Sequence, residues 1–179
     1  AALAQRIAAR APVLQRYTDD RGSSWSTLRT VPGGARALTL QNDCPFRAYA
    51  ELQLGGVERP AAEEGVDRRQ RGDLLHAALD ELWGHWGGSA GLATRDADAL
   101  TEDIHRCVQQ AAASRLSTGD DPVRNRAVAR ECARAEKLLL AVSTLERSRA
   151  PFIVAERESK RQLELSGLSF NLRIDRLDR

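Results

Sequence analysis

A chain of 179 residues with 42% apolar and 29% charged residues is long enough to bury one sizeable core, and its composition is that of an ordinary soluble globule rather than a disordered one. A net charge of +2 excludes the strongly basic class that binds nucleic acid by bulk charge, so any polyanion contact must come from local arginine clusters. No apolar run approaches about 18 residues and no basic segment leads into an apolar one, which argues against a membrane span and a signal peptide and points to the cytoplasm. The chain holds no methionine, even at position 1, and stops at Arg179 just after a strand-like run, so it reads as a piece of a longer protein.

Residues 1–16, rich in Ala and Arg, predict a helix up to Pro12, and residues 19–34 predict a loop anchored by Trp25. A second helix is expected from Pro45 to about Leu54, capped by Asp43 or Cys44 and stopped by Gly55-Gly56, with Phe46, Tyr49, Ala50 and Leu54 as its apolar stripe. At such a helix start the macrodipole favours a thiolate at Cys44, although a cap without a ligand role is the plainer reading. Cys107 and Cys132 fall on helical stripes and read as small core residues; three cysteines so spaced are neither a zinc set nor a disulfide framework.

Residues 67–86 (DRRQRGDLLHAALDELWGHW) predict an amphipathic helix with Leu75, Ala78, Leu79, Leu82 and Trp86 buried. His76 lies at the edge of that stripe, with Gly72 one turn before it leaving room for a substrate or backbone, and with Arg68, Arg69 and Arg71 nearby as candidate phosphate contacts. An isolated histidine so placed is ordinarily a hydrogen-bonded structural residue, and His85 and His105 are read that way. Residues 96–116 and 122–147 predict a helical hairpin joined at 117–120, whose outer arginines Arg124, Arg126, Arg130 and Arg134 form a solvated face or follow a DNA backbone.

The last stretch, Phe152 to Asp178, carries two β-prone runs around Ser166-Gly167, which predicts a hairpin with a two-residue turn. Its register then pairs Leu165 with Leu168, Leu163 with Phe170, Arg161 with Leu172 and Glu158 with Asp175, while Glu156 faces Leu177. Leu163, Leu165, Leu168, Phe170, Leu172 and Ile174 share one face, expected to meet the core. Two carboxylates about 5 Å apart across a ladder repel unless something compensates. A Mg²⁺ ion would do so, and so would solvent with Lys160 and Arg173 as screens; the spacing alone leaves both open.

Four blocks in order, CPFRAYAELQLG (44–55), RGDLLHAALDELW (71–83), PFIVAERE (151–158) and LSGLSFNLRIDRLDR (165–179), resemble the RecB-like branch of the PD-(D/E)XK nucleases, nearest to AddB-like and "probable DNA repair protein" chains. The resemblance covers about residues 38–179 and implies an α+β, restriction-endonuclease-like core, here mostly helical with a terminal β-hairpin, preceded by a helix and linker at 1–37 and carrying a helical insertion at about 96–147. It implies a Mg²⁺- or Mn²⁺-dependent DNA nuclease of recombination and repair, of exonuclease type, attached to or partnered with a helicase. The alternative is an inactive nuclease-like module that binds DNA ends or docks a helicase subunit. His76, Glu158 and Asp175 match the family's metal-site residues, and Cys44 matches a cysteine that some relatives use for an iron–sulfur cluster. The family's acid-x-Lys strand would follow RIDR, and the sequence ends before it, so this stretch alone is expected to be inactive.

Overall fold

The computed structural model describes residues 30–56, 65–116 and 119–179. In chain order these form β1 (Thr30–Val31), α1 (Ala35–Asp43), α2 (Pro45–Leu52), α3 (Arg68–Trp86), α4 (Ser89–Ala93), α5 (Ala97–Arg115), α6 (Pro122–Arg147), β2 (Val154–Leu165) and β3 (Leu168–Asp178). The class is therefore α+β, with six helices and one three-stranded sheet among the described residues. The predicted helix at 1–16 and Trp25 lie outside the described residues. None of the described helices is long and apolar enough to cross a membrane.

Local chemistry explains the helix boundaries. Asp67 opens α3 with a reciprocal cap: its Oδ1 accepts from Gln70 N–H at 2.7 Å, and its own N–H donates to Gln70 Oε1 at 3.2 Å. Gly87, left-handed at φ 68°, ends the helix. Asp96 and Asp121 cap α5 and α6, the latter with Pro122 at the first helical position.

The main core lies between α3, α5 and α6, with α4 and Phe152 closing one end. Leu100, Ile104, Cys107 and Ala111 of α5 meet Val128, Cys132, Ala135 and Leu139 of α6, as the helical-hairpin reading expects. Burial raises the thiol pKa values of Cys107 and Cys132, which keeps them unreactive. On α3 the buried set is Leu74, Ala78, Leu82, Trp83 and Trp86, whereas Leu75 and Leu79 are half-buried. The stripe is shifted because α3 touches α5, α6 and both long strands, so its buried arc is wider than a single packing partner requires. Burying each leucine side chain there contributes about 1.5–3 kcal/mol.

Two expectations about the N-terminal part change. Thr30–Val31, inside the predicted loop, pairs in parallel with Ser169–Phe170, and α1 forms where no helix was expected. Val31, Ala37 and Phe170 make a second small cluster with Leu52, Leu168 and Leu172. In α2 only Ala48 is buried, and Phe46 and Leu54 of the expected stripe are exposed. The hairpin face is likewise only partly core: Phe170 is buried, Leu168, Leu172 and Ile174 are half-buried, and Leu163 and Leu165 are exposed. The sheet runs β1-β3-β2, so β2 is an edge strand and the second cluster covers β3 rather than its partner's tip.

An ionic network around the buried Asp103 ties α3 to α5. Asp103 accepts from Trp86 Nε1–H at 3.0 Å and from Arg106 at 2.8 Å, with Arg95 at 3.2 Å and His85 at 3.6 Å. Burial by itself raises this carboxyl's pKa, but the bonds from Trp86 and Arg106 and the charges of Arg95 and His85 outweigh it, leaving the pKa below the usual aspartate value. A depressed folded-state pKa contributes stability that is present above the unfolded value of about 3.9 and lost as pH falls through the folded one. Asp103→Asn is expected to cost about 2 kcal/mol near neutral pH, less than a fully buried pair because Arg106 and Arg95 retain solvent. Urea melts should also show a smaller loss of stability below about pH 4 in the variant than in the wild type.

Candidate metal centre

His76 projects from α3, Glu158 from β2 and Asp175 from β3. The hairpin register brings the two acids to the same level of neighbouring strands: Leu165–Leu168, Leu163–Phe170 and Arg161–Leu172 pair as read from the sequence, and Glu156 faces Leu177. Glu158 and Asp175 stand between the Ser159–Ile174 and Arg157–Arg176 pairs, and the one register shift lies farther on, between Val154 and Glu156. The turn carries Ser166 at φ 52° and Gly167 at φ 80°, both left-handed, as a type I′ hairpin requires.

One ligand atom from each of His76, Glu158 and Asp175 lies within 4.8 Å of the other two, and no other such group of three occurs among the described residues. His76 Nδ1 is 3.5 Å from Asp175 Oδ2, and Arg173 Nε–H donates to Glu158 Oε2. Oxygen and nitrogen ligands about 2.1 Å from a Mg²⁺ ion stand roughly 3 to 4.2 Å from each other. The three side chains therefore fit a small divalent cation after a contraction of about 1 Å, with Arg173 leaving Glu158. His76 and Asp175 are 56% and 62% exposed and Glu158 19%, so the site opens to solvent on the side where water and substrate would enter.

Glu158 has φ 47°, a left-handed backbone that costs an ordinary residue roughly 1 kcal/mol or more. Around the three side chains lie two adjoining cavities of about 250 Å³ each, both bounded by His76, Asp80, Glu158 and Asp175. One is floored by Leu79, Trp83 and Val142, with Arg157, Arg176 and Glu146 at its rim; the other adds Asp73, Ala77, Arg115 and Arg173.

A profile of the PD-(D/E)XK nuclease superfamily matches residues 35–179. The chain belongs to this superfamily. No curated protein and no solved structure matches it. PD-(D/E)XK proteins are generally nucleases and typically use divalent metals, which is the chemistry that two converging carboxylates and an imidazole accommodate.

Within this PD-(D/E)XK chain the three arginines expected near the phosphates lie apart. Arg69 is exposed and 3.9 Å from Asp73, Arg68 is exposed, and Arg71 turns to α6, 3.4 Å from the buried Glu131. The cations that line the cleft are instead Arg115, Arg157, Arg173 and Arg176. Arg115 and Arg157 had no local signal, because the topology and not the sequence neighbourhood brings them to α3. Asp80 was legible in principle, one turn beyond His76 on the same helix face. At Gly72 an added Cβ would meet nothing within 4 Å, so the space there is open in this structure. Of the outer α6 arginines, Arg124 reaches Gly65 O and Gln70 and Arg134 binds Glu131, so that face is partly spent on holding α3. Cys44 is exposed at the start of α2, away from any group of three potential ligands among the described residues.

Proposed function

We propose that the protein is a Mg²⁺- or Mn²⁺-dependent deoxyribonuclease of the RecB-like, AddB-like type, working as an exonuclease in recombination and repair beside a helicase domain or subunit. The observation that supports this reading most is that His76, Glu158 and Asp175, separated by up to a hundred residues of chain, bring ligand atoms within 4.8 Å at the mouth of a cleft. Asp175 and Glu158 would hold the cation and His76 would complete its shell through a neutral ring nitrogen. Bound there, a divalent ion supplies positive charge to the phosphoryl oxygens and lowers the pKa of a water.

Electrostatics supports the need for such a cation. Asp73, Asp80, Glu158 and Asp175 all face the cleft, and a phosphodiester approaching them would be repelled, since unit charges 4 Å apart interact by about 4 kcal/mol near a protein surface. Arg115 and Arg173 line the same cavity and offer hydrogen-bond donors to phosphate oxygens. Arg173 now satisfies Glu158, and a substrate phosphate would give its guanidinium another partner once a cation takes over the carboxylate.

Linear DNA incubated with Mg²⁺ or Mn²⁺ and the intact protein that carries this chain and the acid-x-Lys strand should be degraded, and EDTA should stop it. DNA that is bound under these conditions without being cut would overturn the catalytic reading and leave a binding or docking module.

A further inference from the structure

In a regular strand, consecutive side chains point to opposite faces of the sheet. Arg157 and Glu158 break that rule, since both reach α3. Arg157 Nη1–H donates to Asp80 O at 2.5 Å and to Asp80 Oδ1 at 2.6 Å, while Glu158 comes within 4.8 Å of His76, one helical turn away. Glu158 does so with a left-handed backbone, φ 47°, unlike Asp175 and Arg176, which reach His76 and Trp83 of the same helix from β3 without one.

The guanidinium has a built seat. Gly84 follows Asp80 by four residues and His76 by eight, on the same face of α3. A Cβ at Gly84 would lie 2.7–2.9 Å from Nη1, Cζ and Nη2 of Arg157. Glycine is a poor choice for the interior of a helix, and here its missing side chain is the space the guanidinium fills.

We propose that Arg157 is a positioning residue for the candidate metal centre: lodged over Gly84 and bound to Asp80, it fixes the left-handed turn that delivers the Glu158 carboxylate to His76 and Asp175. This rests on the metal-site reading above and adds to it the residues that hold one ligand in a conformation the strand would not otherwise keep. Outer partners that orient a metal ligand typically account for about 10–100-fold in metal affinity.

The test is Mn²⁺ affinity, read from the paramagnetic resonance signal of free Mn²⁺, together with the thermal melt of each variant of the full chain. Gly84→Ala is the decisive variant, because alanine is the better helix former while its methyl group displaces the guanidinium. The expected result is an unchanged or raised melting temperature with Mn²⁺ binding weakened about tenfold. Arg157→Ala should weaken binding similarly and recover part of it on addition of methylguanidinium. If Glu158→Gln abolishes Mn²⁺ binding while Gly84→Ala and Arg157→Ala stay within about twofold of wild type, the positioning role is overturned and the metal site stands. Weaker binding that tracks a fall in melting temperature in both variants also overturns it, as general loosening. Unchanged binding in Glu158→Gln removes the metal-site reading and the positioning role with it.

Discussion

Asp175→Asn is expected to leave the fold intact and, in the intact protein that carries this chain, to remove metal-dependent DNA degradation. The side chain is 62% exposed and its ion pair within the protein is with His76 at 3.5 Å, so an isosteric amide should change stability by no more than about 0.5 kcal/mol. Its charge matters far more to a bound cation. A direct carboxylate ligand should be worth more than the roughly 10–100-fold that an outer partner contributes, so Mn²⁺ affinity should fall by over about 100-fold. Calorimetric titration with Mn²⁺ and degradation of linear DNA, measured on the same preparations, check both parts. A variant that keeps wild-type affinity and still degrades DNA would place the cation elsewhere.

Trp83→Ala should be the most damaging substitution for stability. The ring is buried, with its edges against Trp86 at 5.3 Å and Phe152 at 5.6 Å, and the Arg176 guanidinium lies 4.4 Å from its centre. Truncation empties the place where α3, the start of β2 and the end of β3 meet, and it strips Arg176 of its platform. The expected cost is about 3–5 kcal/mol, of which the aromatic pairs contribute roughly 0.5–1.5 each beyond area burial. For a domain of this size that is a fall of roughly 10 °C in melting temperature. Trp83→Phe retains most of the apolar contact and should lose less than half as much. Because the same ring floors the cleft beside His76, the alanine variant should also weaken Mn²⁺ binding, which denaturant melts and titrations on one sample can compare.

The parts of the site that depend on local periodicity were legible in the sequence. A small residue and glycine between two β-prone runs set the hairpin register, and with it the pairing of Glu156 with Leu177; Glu158 and Asp175 fall between paired residues on either side, without pairing themselves. The screening role open to Arg173 is also present, as its ion pair with Glu158. Periodicity could not say which strand face would meet α3; it was the resemblance that put His76 with the two acids. The left-handed conformation of Glu158, the seat at Gly84 and the approach of Arg115 are products of tertiary packing and leave no trace in spacing. α1 was missed because its two buried residues, Ala37 and Leu40, are too few to mark a face. Arg71 parts from its neighbours for a related reason: three arginines within four residues share a neighbourhood in sequence, but helical geometry turns the third toward Glu131 on α6.

The most direct test of the central claim is anomalous scattering from crystals of the protein soaked in Mn²⁺. A single peak enclosed by the His76 ring, the Glu158 carboxylate and Asp175, with Arg173 moved off Glu158, is the predicted result. An empty cleft at saturating Mn²⁺, with the His76–Asp175 and Arg173–Glu158 pairs intact, would contradict it.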